Sequence, residues 1–184
     1  MGLRTPVGNT LPEFIHSLQT GRSGIRVMKE WEGIERMRTK VAGVCDIEGE
    51  EKSIPRNFRR SMGRVSVLAM LAAIDAVEDA GIGEEEIASP ACGVSFGSTA
   101  GSTEEQVMIM GRMVNNRSLA GVPASSYLKC MSHTCAANLA TFFHTRGPLV
   151  ASCTACTSGS QGIGFGYEAI RLGRASLMIT GGAE

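Results

Sequence analysis

The sequence has 184 residues, with 18 Lys and Arg balancing 18 Asp and Glu, and 43% of it is hydrophobic. That is enough chain for one compact α/β domain and too little for two ordinary ones. The zero formal net charge removes the electrostatic case for nucleic acid or an anionic membrane as main partner, and 20% charged residues beside so much apolar content argue against wholesale disorder.

No apolar run reaches the roughly 20 residues that a membrane-spanning helix needs. The N-terminus, MGLRTPVGNT, lacks the basic start and apolar core of a secretory signal, so the expected compartment is the cytoplasm. Cys45, Cys92, Cys130, Cys135, Cys153 and Cys156 are then expected as free thiols, most of them small buried apolar residues.

In chain order, Thr10 and Glu13 form a capping box that opens a helix over residues 11–20, closed by Gly21. Residues 41–55 are polar and unpatterned and read as loop. Residues 61–80 carry the clearest helical periodicity. Val65, Leu68, Ala72 and Val77 share one side, Leu71 and Ile74 widen it, and Gly81 sits where a C′ residue belongs. A strand over 91–96 leads into the Gly-rich exit G-S-T-A-G-S. A helix over 104–114, a loop containing Gly121 and Pro123, and a helix over 132–144 follow, the last stopped by Gly147 and Pro148. A strand over 149–155, a helix over 158–172 and a strand over 176–180 complete the pattern. Alternating helix and strand with short links predicts an α/β fold with a mostly parallel sheet between helices.

The helix after Cys156 contains Gly159, Gly162, Gly164 and Gly166. Each interior glycine costs about 1 kcal/mol relative to Ala, so four together predict a backbone pressed against another element. This helix is therefore expected in the middle of the molecule, with Ile163, Tyr167 and Ile170 as its larger packing side.

The segment PLVASCTACTSGSQGIGFG holds the candidate chemistry. A strand runs into a helix with Cys156 at the turn, where unpaired helix N–H groups and the positive end of the dipole favour thiolate. The same N–H groups suit a developing oxyanion. The residues alone leave two readings open: a nucleophilic Cys156, or a structural Cys in a turn of small residues.

Rival motifs fit less well. Cys153 and Cys156 match C-x-x-C, but period 2 puts Cys153 within the strand, whereas a redox pair sits at the helix start. Zinc would require Cys130 and Cys135 to converge with that pair across a helix start. A G-x-G-x-x-G reading of Gly162 and Gly164 fails at Tyr167. The G-S-T-A-G-S-T stretch beginning at Gly97 resembles a phosphate loop without its Lys and reads as a strand-to-helix turn. Ser158 reads as a helix cap. No base for Cys156 is found. His133 and His144 on one helix would stand roughly 16 Å apart, His144 suits a helix C-terminus, and His16 lies on a polar helix side.

The stretches GLRTPVGNTLPEFIHSLQTGRSGI, MSHTCAANLATFFHTRGP and LVASCTACTSGSQGIGFGYEAIRLGRASLMITGGAE are similar to the β-ketoacyl-[acyl carrier protein] synthases, the elongating condensing enzymes. The T-A-C-x-S-G turn, the Gly-rich helix behind it and the G-G-x-E end carry the resemblance, which covers nearly the whole chain. It implies a thiolase-like half-domain and a decarboxylative Claisen condensation, with Cys156 taking the family's nucleophile position. It implies acyl- and malonyl-loaded acyl carrier protein as partners, a homodimer paired through the strand before Cys156, and neither metal nor cofactor. Chain-length-factor relatives replace the Cys, so its presence argues against a non-catalytic partner subunit. That subunit and a C-x-x-C redox protein stand as the alternatives.

Against the family pattern the chain starts inside the first loop, without the first strand, and stops at G-G-x-E. The family's second half supplies two catalytic His residues, a Lys and part of the oxyanion hole. Residues 1–184 are accordingly expected to be an N-terminal β-ketoacyl synthase domain incomplete at both ends. An open slot in its sheet is expected, along with a poorly folded, inactive state in isolation.

Overall fold

A computed structural model describes all residues, 1–184. The elements run α1 (Leu11–Gln19), β1 (Ile25–Val27), β2 (Val41–Gly43), α2 (Arg56–Arg59), α3 (Arg64–Ala80), α4 (Glu84–Ile87), β3 (Cys92–Gly97), α5 (Thr103–Asn116), α6 (Ala124–Lys129), α7 (Thr134–Phe142), β4 (Leu149–Ser152), α8 (Ser158–Arg171) and β5 (Leu177–Gly182). The main sheet has the order β4-β3-β5, all parallel. The α/β architecture is thus as the sequence pattern predicts.

β3 is the centre of this arrangement. All six of its residues are buried, as a strand covered on both faces must be. Val94 and Phe96 join Met70 and Leu71 of α3 and Leu139 of α7 in the main core. Gly97 instead meets α8: a Cβ there would stand 2.1 Å from the Ser158 carbonyl oxygen. Helices α3 and α7 therefore cover one face and α8 the other.

The expected gap between two strands does not open; instead the outer edge of β5 is left without a strand partner. β3 pairs with β5 over six residues, from Cys92 opposite Leu177 to Gly97 opposite Gly182. Direct pairing satisfies the ladder N–H and C=O groups that a gap would leave orphaned. An apolar groove of about 600 Å³ remains between α3 and β5, lined by Leu68, Ala72, Ala76 and Ile179, and residues 1–5 lie along it. The Arg4 guanidinium fastens that N-terminal segment to Glu50 and Asp75.

Local signals are realised where their chemistry is complete. The Thr10–Glu13 capping box forms, Gly21 and Gly81 adopt left-handed φ of 67° and 63°, and α3 ends at Ala80. Its start is three residues later than periodicity suggests, after a turn through Ser61. Its buried side is also broader, adding Ser66, Val67, Ala69, Met70 and Ala73, while Leu68 and Val77 are only half-buried. Residues 41–55 are not all loop: β2 pairs antiparallel with β1, in strands too short and exposed for periodicity to show. α6 occupies residues otherwise read as loop. The helix expected over 132–144 is shorter, so His133 and His144 flank it.

The glycines of α8 act as close-approach positions. A Cβ at Gly162 would stand 2.8 Å from the Gly181 carbonyl oxygen, and one at Gly166 2.2 Å from Thr180 Cγ2. Around Gly164 there is nothing within 4 Å. The expected packing side is reversed: Gly162, Gly166 and Ala169 face the sheet, whereas Ile163, Tyr167 and Ile170 are exposed. Only a side without side chains lets the helix lie this near the β3–β5 ladder.

This difference predicts opposite effects from one substitution. In the full-length protein Gly162→Ala lowers the unfolding free energy by about 1–3 kcal/mol through overpacking, while Gly164→Ala raises it by up to about 1 kcal/mol through helix propensity. Equilibrium denaturation of the two variants checks the signs.

Candidate active site

The carboxyl ends of the three parallel strands converge, the usual place for a site in an open α/β sheet. Ser98 N–H donates to Ser152 O at 3.1 Å, and Ala183 N–H to Gly97 O at 3.0 Å. The ends of β3, β4 and β5 are thereby tied together. Between them lies a cleft of about 490 Å³ lined by Thr99, Cys156, Gly159, Ile163 and Glu184, among others.

Cys156 is exposed, at the turn from β4 into α8. β4 ends at Ser152, so Cys153 also lies beyond the strand and is exposed, rather than within it. The turn is made by Ala155, whose φ of 50° is unusual for a residue with a Cβ. Ser158 holds it. Its Oγ accepts from Thr154 N–H at 2.8 Å and donates to Ala155 O at 2.7 Å, and Ser158 N–H donates to the same carbonyl at 3.0 Å. The N-cap position belongs to Thr157, so Ser158 caps the turn rather than the helix, a correction to the sequence reading. Ser152 Oγ adds a bond to Ser158 O at 2.8 Å.

The N–H groups of Cys156, Gly159 and Ser160 have no acceptor in the chain. They are the orphan donors that a helix start leaves, and they suit an anion. The Cys156 sulfur itself makes no hydrogen bond to the protein. None of His16, His133 and His144 lines the cleft; His144 instead packs edge-on against Phe58. The structure thus brings Cys156 to free amides without a histidine beside it. Elsewhere, burial pushes the thiols of Cys92 and Cys135 up from their ordinary range, which keeps them protonated and unreactive.

Two residues that line the cleft, Thr99 and Glu184, were missed by the sequence reading. Thr99 and Ala100 donate their backbone N–H groups to the Glu184 carboxylate, with bonds of 2.9 and 3.3 Å from Thr99 and 3.0 Å from Ala100. The loop that resembled a phosphate cradle does receive an anion on its amides, and the anion is a side chain of the same protein. Its missing Lys was the wrong signal to weigh; the run of small residues with free N–H groups was the right one.

Two outcomes check this geometry. Ser158→Ala lowers unfolding free energy by about 1 kcal/mol, because Thr154 N–H and Ala155 O each lose a hydrogen-bond partner in the turn, read by denaturant titration. Iodoacetamide labels Cys153 and Cys156 in the folded protein and spares Cys92 and Cys135 until denaturant is added, read by peptide mass spectrometry.

Comparison with known proteins bears directly on this site. The family model "Beta-ketoacyl synthase, N-terminal domain" matches residues 1–184. The 3-oxoacyl-[acyl-carrier-protein] synthase 1 of Haemophilus influenzae is 31% identical over 183 residues, covering 100% of this chain and 45% of its own length. The crystal structure of a beta-ketoacyl synthase from Burkholderia phymatum superposes with a TM-score of 0.86 at 36% identity, over 97% of this chain and 44% of that one. A type II polyketide ketosynthase solved in complex with its acyl-carrier protein shares the fold, with a TM-score of 0.75 at 17% identity, over 98% of this chain and 48% of that one. The chain spans about 45% of the length of the curated relatives it matches.

Proposed function

The chain belongs to the β-ketoacyl synthase family, and from that membership we propose that residues 1–184 are the nucleophile-bearing part of an elongating condensing enzyme. The observation that carries the reading is the placement of Cys156. It is exposed on a pinned strand-to-helix turn, in a cleft, beside amides with no other partner.

The proposed reaction has two halves. The Cys156 thiolate attacks the thioester carbonyl of an acyl-loaded carrier protein; the oxyanion that forms is stabilised by turn N–H groups, and its collapse expels the carrier thiolate. Malonyl-carrier protein then loses CO₂. The resulting carbanion attacks the acyl-Cys156 carbonyl, breaks the carbon–sulfur bond and returns the thiolate. The product is a 3-oxoacyl thioester two carbons longer. Groups that handle protons in decarboxylation are assigned to the part of the enzyme beyond residue 184, since no histidine of this chain reaches the cleft.

Several features support the remaining parts of the proposal. The relatives are named as synthases of 3-oxoacyl-[acyl-carrier-protein], which fits such a partner here. β4 is an edge strand with Leu149 exposed, which fits a homodimer paired across a two-fold axis. No helix is long and apolar enough to cross a membrane, and all six cysteines are unpaired, which fits a reducing compartment such as the cytoplasm. The outward face of α8, with Ile163, Phe165, Tyr167 and Ile170, fits a helix with a second neighbour in the complete enzyme.

In the full-length protein, octanoyl-loaded acyl carrier protein is expected to leave an octanoyl group on the peptide containing Cys156. Cys156→Ala removes that adduct, Cys153→Ala keeps it, and added malonyl-carrier protein converts it to a 3-oxodecanoyl thioester. An unacylated Cys156 with a reversible disulfide to Cys153 would favour redox chemistry instead.

A further inference from the structure

The turn that presents Cys156 is held from a second side by residues remote in sequence. Glu184 binds the N–H groups of Thr99 and Ala100 and so fixes the loop after β3 from just beyond the end of β5. Charged acceptors make stronger bonds to amides than neutral ones. The fixed loop places the Thr99 hydroxyl 3.3 Å from Ala155 O and 3.2 Å from Ser158 Oγ. Its one proton has both as acceptors, and either bond ties the loop to the turn. The Thr99 carbonyl in turn accepts from the Cys153 thiol at 3.7 Å.

Restraining Ala155 O has a consequence at Cys156. In a planar trans peptide the carbonyl and the following N–H point to opposite sides, and the chain has no cis peptide bonds. A carbonyl held toward Thr99 and Ser158 therefore fixes the Cys156 N–H pointing away from them, where it finds no acceptor within the chain. Ala155 is in the left-handed region, a conformation that persists only when its surroundings enforce it. The enforcing contacts are Ser158 from within the turn and Thr99 from across the cleft.

We propose that Thr99 and Glu184 are positioning residues for Cys156: Glu184 fixes the Thr99 loop, and the Thr99 hydroxyl locks the Ala155–Cys156 peptide plane so that the Cys156 N–H is held ready for an oxyanion. The proposal rests on the reading of Cys156 as the acyl acceptor.

Two reactions of the same sulfur separate positioning from bulk structure. Acyl transfer from octanoyl-carrier protein passes through an oxyanion; alkylation by iodoacetamide does not. In the full-length protein, Thr99→Val is expected to slow single-turnover acylation of Cys156 by about tenfold, below the roughly 100-fold cost of deleting an oxyanion donor outright. Alkylation of Cys156 stays within about twofold, the carrier-protein KM is little changed, and Thr99→Ser restores the rate. Glu184→Ala follows the same pattern, and Glu184→Gln, which keeps one acceptor oxygen, lies between it and wild type. Unchanged acylation in Thr99→Val overturns the proposal. So does a parallel fall in acylation and alkylation with a lowered Tm, since that describes a structural role. Wild-type protein that is never acylated at Cys156 overturns the underlying reading and this proposal with it, whereas wild-type acylation with insensitive variants overturns the proposal alone.

Discussion

The buried hydroxyl of Ser158 joins the end of β4 to the start of α8 in a single knot. It accepts from Thr154 and donates to Ala155, so the three residues before the helix have little freedom. A left-handed Ala155 would not persist without such contacts, because its Cβ crowds the neighbouring carbonyl. The exposure of Cys156 follows from this constraint. With β4 ended at Ser152 and the chain forced to reverse, the side chain at 156 emerges over the strand ends instead of entering the core.

The same region depends on a second constraint, the nearness of α8 to the sheet. Gly159, Gly162 and Gly166 keep the middle of the sheet-facing side of the helix free of side chains, and Gly181 and Gly182 of β5 answer Gly162 and Gly159. The helix start therefore sits almost on the ends of β3 and β5. That is why Gly97, Ala183 and Glu184 reach the cleft at all. The glycine cost in helix propensity is thus offset by a site built at the meeting point of three strands.

Much of this was legible from residue order, and the limits have physical causes. Elements whose signal is local were found: the capping box at Thr10, the αL glycines at 21 and 81, the buried β3, and the Cys156 turn between a strand and a Gly-rich helix. Errors arose where partners are remote in sequence. β1 and β2 are three residues each, and only their pairing makes them strands. The direct β3–β5 ladder joins segments some 80 residues apart, and no local pattern reports which strands become neighbours. The reversal of the α8 faces has a simpler origin: large apolar side chains usually face the core, but here close backbone approach took the inner side and left them outside.

Ser158 and Glu184 illustrate how a correct local reading misses a role. Ser158 was legible as a cap because Ser at a helix start has few other reasons to be there, yet its bonds go back into the turn rather than forward into the helix. Glu184 had no local signal whatever. Its function depends on strand order, since only the placement of β5 beside β3 brings a carboxylate after the G-G pair to the amides of Thr99 and Ala100. Parallel strands in register carry their following loops to one edge of the sheet, so residues distant in sequence meet there as a matter of topology. The chemistry proposed for Cys156 is in that sense a property of the sheet: the thiol comes from one strand end, the loop that restrains its peptide from a second, and the carboxylate that holds the loop from a third.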